Sequence, residues 1–317
     1  MLLQINNPIV SSNSRLENLV EAFIASLDIA PSSQNTYRRS IRPLWCYFSS
    51  QGIHRPTPQD ILNFKRHLEG QGLSPSTIAS YLTAAKALFK WLESQKLYEN
   101  IAKDIKLPRP SKGFKKDPLT IEQIQKLLSS LNTSYPEGLR NYAILNLLIR
   151  TGLRTISVVS ANVGDIKEVS GQKVLYVRIK GSLEKDNFVL LTSSTLEPLQ
   201  NYLQTRKNIS SEDPLFTSLS DRCLSQRLST RTVSLIVKEA LRRIGIDDSR
   251  ITAHSMRHTA ITLALKNGAS IQDVQSMSHH SDMNVLLHYA HNLDRIQNSA
   301  EKRIDDLLSH NSPDKKI

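Results

Sequence analysis

One stretch limits this chain more than any other. LPRPSKGFKKDP, residues 107–118, carries three prolines, a glycine and four cations. Proline removes backbone donors and disfavours helix in the residue before it, so neither a helix nor a central strand can run through this segment. It reads as an extended, basic strap between two folded units. The expected organisation is a helical domain over 14–107, a basic linker over 108–117 and a second domain over 118–317.

Upstream, apolar residues recur at three- and four-residue steps in four blocks. Leu16, Leu19, Val20, Phe23, Ile24 and Leu27 form the first. Tyr37, Ile41, Leu44, Trp45 and Phe48 form the second, opening at Pro31 and closing near Gly52. Ile61, Phe64 and Leu68 follow Pro58, and the block ends at Gly70 and Gly72. The fourth carries Ile78, Leu82, Ala85, Leu88, Phe89 and Leu92, with Ser74 as N-cap and Pro75 at the first helical position. Four amphipathic helices make a small bundle. Downstream, Thr120 and Gln123 form a capping box. GLRNYAILNLLIRTGLR reads as an apolar helix broken at Gly152. VGDI, KVLYVRIK and NFVLL read as three antiparallel strands separated by EVSGQ and GSLEKD. Ser194 and Glu197 cap a further helix, and LSTRTVSLIVKEALRRIGI supplies another. The fold class is mainly α with one small antiparallel β-sheet.

Charge bears on the partner. Forty-one Lys and Arg against 29 Asp and Glu leave +12, distributed as +4, +3 and +5 over residues 1–107, 108–117 and 118–317. Positive surface on two folded units and their strap suits nucleic-acid phosphate, because binding releases condensed counterions. Arg38, Arg39, Arg42, Lys86, Lys90, Lys115 and Lys116 are the candidate backbone contacts, against the plain alternative of solvated helix charges. Apolar runs are short and broken by charge, the N-terminus has no signal-peptide pattern, and Cys46 and Cys223 stand far apart without ligand spacing. A reduced cytoplasmic protein is expected, with no membrane span.

The chemistry concentrates between His254 and His291, where six of the nine histidines lie. HSMRH puts His254 and His258 one helical turn apart, a spacing that suits zinc. However, Ser255 stands where a zinc protease needs glutamate, and Arg257 would repel a dication. No metal site is expected. Arg154 in TGLR, Lys180 at a strand end, Arg257 and His280 together offer cations and donors for a phosphodiester and its pentacovalent transition state. Tyr289 offers a nucleophile that needs no metal. Lys185 competes with Lys180 in the same turn region, and Arg154 competes with a plain role at a helix C-terminus.

The ordered set TGLR, Lys180, HSMRH, HHS and Tyr289 resembles the tyrosine recombinase (phage integrase) family over nearly the whole chain. Tyr289 follows His280 by nine residues, as in that family. The resemblance implies an N-terminal SAM-like core-binding domain joined to a tyrosine recombinase catalytic domain, in a two-domain, Xer-like arrangement with no arm-binding domain before Arg15. It implies that Arg154 and Arg257 clamp the scissile phosphate, Lys180 protonates the 5′-oxygen, His254 serves as acid or base and His280 donates a hydrogen bond. Tyr289 would form a 3′-phosphotyrosyl link, without cofactor, and strands would exchange through a Holliday junction. The implied partners are double-stranded recombination sites, a homotetramer joined by C-terminal helices carrying Ile296, Ala300, Ile304, Leu307 and Leu308, and accessory proteins in some systems. Two positions depart from the family: Ser157 replaces an acidic residue, which implies slower or more regulated cleavage, and His279 replaces a small residue. A DNA-binding regulator on a decayed scaffold and a metal-dependent phosphodiesterase are the competing readings.

Overall fold

The computed structural model describes residues 13–109, 118–179, 182, 184–280, 283–287, 289–290 and 299–310. The chain divides into two compact units, Met1–Gly113 and Phe114–Ile317.

Four helices build the first unit: α1 (Asn13–Ala25), α2 (Pro31–Ser50), α3 (Pro58–Gly70) and α4 (Pro75–Ser94). Their starts follow from local chemistry. Three of them begin on proline, whose fixed φ suits the first helical turn. The Ser74 hydroxyl accepts the Thr77 amide at 3.2 Å, satisfying one of the orphan donors of α4. The apolar stripes turn inward, so Phe23, Ile24, Ile41, Leu44, Phe48, Ile61, Phe64, Leu68, Leu82, Leu88 and Phe89 form one buried cluster. Burial of this much apolar surface, rather than helix propensity, holds such short helices together.

The second unit is built around α6 (Pro136–Thr151), which is buried along Ala143–Ile149 and packs against α8 (Ser193–Gln204) and α10 (Ala253–Lys266). The remaining helices are α5 (Ile121–Ser129), α7 (Thr155–Ser160), α9 (Thr230–Arg243), α11 (Ile271–Ser278) and α12 (Ala300–His310). Residues 283–287 and 289–290 are also helical. The Thr120–Gln123 capping box is present at α5.

The sheet is a three-stranded antiparallel meander, β1 (Ile166–Val169), β2 (Gln172–Val177) and β3 (Asn187–Leu190), in the order β1-β2-β3. Val169 pairs with Gln172 across a two-residue turn in which Ser170 (φ 51°) and Gly171 (φ 74°) are both left-handed. Such a turn matches the strand twist. Leu175, Val177 and Val189 join the core of the unit.

Two expectations need correction. VGDI is not a strand: Val163–Asp165 is a 3-10 turn, because the Asp165 carboxylate caps the Asn162 amide at 2.6 Å and bends the chain there. The strand begins only at Ile166 and takes up Glu168 and Val169, which the sequence assigned to the turn. α8 starts after Thr192 rather than Ser194, with Thr192 in extended backbone and its hydroxyl 3.2 Å from that of Thr195.

Candidate active site

Gly152 organises the site. It caps α6 in the left-handed conformation (φ 64°), its amide donating to the Leu148 carbonyl at 3.0 Å. The chain then turns so that Arg154 stands at the N-cap of α7. The Gly152 carbonyl, left over by the end of α6, accepts from Arg257 Nη1 at 2.7 Å. A side chain at 152 would crowd this junction, since a Cβ there would meet Ala260 Cβ at 3.3 Å.

Arg257 enters from the first turns of α10. Its side chain is buried, and burial followed by the neighbouring Arg154 charge pushes its proton affinity down to about 9. Burial alone lowers that of Arg154. Among the described residues neither guanidinium has a carboxylate partner. Two desolvated like charges with no counter-ion are costly. An anion seated between them would relieve that cost.

His280 closes the other side. Arg257 Nη2 lies 3.1 Å from its Nε2 and 3.2 Å from its Nδ1. Burial first, then Arg257, Arg154, His254 and His258, bring the ring down to about 4, so it is neutral near pH 7. The end of α11 fixes the residue: Gln275 Nε2 donates to the His280 carbonyl at 3.1 Å, and the Ser278 hydroxyl lies 2.8 Å from Nδ1. His279 caps α11 at φ 52° and ψ 47°, a left-handed position that favours a residue without Cβ, which accounts for a small residue there in the family.

The nucleophile candidate sits beyond a row of rings. His254 and His258 are edge-on at 4.7 Å between centroids, and His258 lies 5.4 Å from the ring of Tyr289. Tyr289 is 5% exposed and packs with Ile261, Val274 and Leu286. A hollow of about 280 Å³ opens beside Arg154 and His254.

Of the residues singled out from sequence, the fold therefore gathers Arg154, His254, Arg257, His280 and Tyr289. Lys180 lies outside the described residues, as do Lys115 and Lys116. The rival Lys185 is engaged elsewhere, in an ion pair with Asp165. Arg39, Arg42 and Lys90 are exposed, and Arg38 is bound by Glu21. Lys86 is half-buried instead of exposed: its ammonium donates to the Lys103 and Ile105 carbonyls at 2.9 and 3.0 Å, closing the end of the first unit. Among the described residues no cluster of three or more His, Cys, Asp or Glu could hold a metal, and no helix is long and apolar enough to cross a membrane.

Sequence reasoning missed Ser278, because nothing in the pattern says that this hydroxyl reaches a ring two residues on. It left the support at Ser157 open. That hydroxyl, buried, donates to the Arg178 carbonyl at 2.8 Å and so ties α7 to the end of β2.

The phage integrase family model matches residues 118–295, and the phage integrase N-terminal SAM-like domain model matches 17–96. The chain belongs to the phage integrase family. This recombinase is 29% identical to the tyrosine recombinase XerD of Yersinia pestis over 290 residues, covering 88% of this chain and 93% of XerD. Its fold is shared with the XerH site-specific recombinase in a post-cleavage complex on palindromic difH substrate (TM-score 0.70, 21% identity, 92% of this chain and 85% of that one). The lambda integrase tetramer bound to a Holliday junction is also similar (TM-score 0.62, 17% identity, 84% and 78%). This integrase-family chain is thus a site-specific recombinase, an enzyme that cleaves and rejoins DNA. The regulator reading is not favoured.

Proposed function

We propose that this recombinase cleaves one strand at each of two DNA sites by in-line attack of Tyr289 on a phosphodiester held by Arg154 and Arg257. The Tyr289 Oη–P bond forms, the P–O5′ bond breaks, and the phenol proton is lost as the 5′-oxygen gains one. Lys180 supplies that proton, with His254 assisting as acid or base. The energy of the phosphodiester is kept in the 3′-phosphotyrosyl link, so a 5′-hydroxyl from the partner duplex can reverse the step without ATP. Two rounds of exchange pass through a Holliday junction. The enzyme works in the cytoplasm, with its DNA.

The supporting observation is the buried Arg257 beside the half-buried Arg154, with no carboxylate partner to either among the described residues. Phosphate is the anion that fits two guanidinium forks and a histidine beside a tyrosine. The tetramer is supported by α12, whose Ile304, Leu307 and Leu308 are 60%, 65% and 65% exposed. Such a face suits a groove on a second protomer.

A nicked suicide DNA tests the reading. Wild-type protein should become covalently attached at the 3′-phosphate, and Tyr289→Phe should bind the same DNA without attachment. Binding without attachment by the wild type would sink the cleavage mechanism.

A further inference from the structure

The Ser278 hydroxyl is fully buried and has a single proton. It lies 2.6 Å from the Val274 carbonyl, one turn back on α11, and 2.8 Å from His280 Nδ1. A carbonyl oxygen can only accept, so at 2.6 Å the hydroxyl proton points at Val274. The Ser278 oxygen must then accept from His280, which places a proton on Nδ1. The other ring nitrogen, Nε2, is left with its lone pair. Arg257 Nη2 stands almost equally far from both ring nitrogens, 3.1 Å from Nε2 and 3.2 Å from Nδ1, so it lies over the ring rather than in line with the Nε2 lone pair.

We propose that Ser278 is a positioning residue that fixes the protonation pattern of His280, holding the proton on Nδ1 and leaving Nε2 bare beside Arg257. This rests on the proposed cleavage mechanism only for its functional consequence. When phosphate binds beside Arg257, the bare Nε2 can donate to it only after gaining a proton. Ser278 accepts from Nδ1 in both states, so the ring does not need to turn. Among the described residues the charged and titratable groups facing the ring are Arg257, Arg154, His254 and His258, none of them acidic. The proton is therefore taken up with the phosphate and not before it.

Neighbouring groups that hold a functional histidine by its second nitrogen are worth about 10-fold or more in activity. In full-length protein labelled with ¹⁵N-histidine, without DNA at pH 7.5, His280 (assigned by its absence in His280→Gln) should carry its proton on Nδ1, with Nε2 bare. Ser278→Ala should mix the two tautomers. On suicide DNA, Ser278→Ala should form the covalent adduct about 10-fold more slowly, and Ser278→Thr, which keeps the hydroxyl, should recover most of the rate. DNA affinity should stay the same in both. A wild-type His280 protonated on Nε2 would overturn the proposal. So would wild-type cleavage by Ser278→Ala, or equal slowing in Ser278→Thr and Ser278→Ala with unchanged tautomers, which marks a packing role. If wild-type protein formed no adduct at all, the cleavage mechanism would fail while the nitrogen spectra still decided the tautomer.

Discussion

At Arg257 the chemistry of the site meets its cost. The guanidinium holds the Gly152 carbonyl with one nitrogen and rests its other against the His280 ring, so it engages both at once. Lysine has one nitrogen and cannot span them. Arg257→Lys should keep DNA binding within a few-fold and slow adduct formation on suicide DNA by about 100-fold or more, the scale of losing one oriented donor at a developing charge. A rate near wild type would mean that Arg257 is structural. His280 gives a second outcome, in stability. Its folded pKa, about 4, lies below the ordinary 6.5. Between those values the unfolded chain binds a proton that the folded chain refuses, so the second unit should lose stability as pH falls from 6.5 towards 4. Denaturation midpoints across that window, with His280→Gln as comparison, check the sign: the variant should show a shallower fall. Arg257, His254 and Tyr289 were legible in sequence because their spacing is a motif. The bonds they make were not, since Gly152 lies 105 positions from Arg257 and only the fold joins them. Ser278 left no trace in the pattern, because a buried serine at a helix end has many ordinary uses.

The elements repeat that contrast. Helices set by periodicity and caps came through, as in α4 with Ser74 and α5 with Thr120. The Val163–Asp165 turn did not. Its apolar content looks like a strand, and only the reach of the Asp165 carboxylate to Asn162 and Lys185 bends it. The end of α6 was readable as a break at Gly152, yet its deeper role is to turn a leftover carbonyl towards Arg257. Gly152→Ala must hold a Cβ at positive φ and against Ala260. The left-handed conformation alone costs about 1–2 kcal/mol. The variant should unfold at lower denaturant and cleave more slowly than its stability loss explains; an unchanged midpoint would mean that the junction yields freely. Ser157 raises the matching point for α7 and β2. With the Arg178 carbonyl tied down, the end of β2 is fixed two residues before Lys180. Ser157→Ala should speed hydrogen exchange at the strand end and slow adduct formation, while leaving the Arg154–Arg257 pair in place. Equal exchange in both proteins would remove Ser157 from the positioning of that strand.

Charge and assembly act on the whole molecule. A net +12 spread over both units and the strap should make affinity fall steeply with salt, as released counterions dictate. Salt dependence alone fits any basic DNA-binding protein, so assembly is the sharper question. α12 carries three large apolar residues that are each at least 60% exposed. A helix folded onto its own unit would bury them, and a helix with no partner would carry Glu, Lys and Asp in their place. The face is consistent with a second copy as its cover, and a copy that lends its helix around a ring couples the sites to one another. Deleting residues 296–317 should therefore leave binding to a single site and its salt dependence unchanged. It should abolish paired-site complexes and complete recombination, and lower adduct formation less than either. Gel shifts on one-site and two-site DNA, with recombination scored on a two-site plasmid, separate these steps. Full recombination by the truncated protein would show that α12 is dispensable, and the assembly would then have to rest on surfaces other than its apolar face.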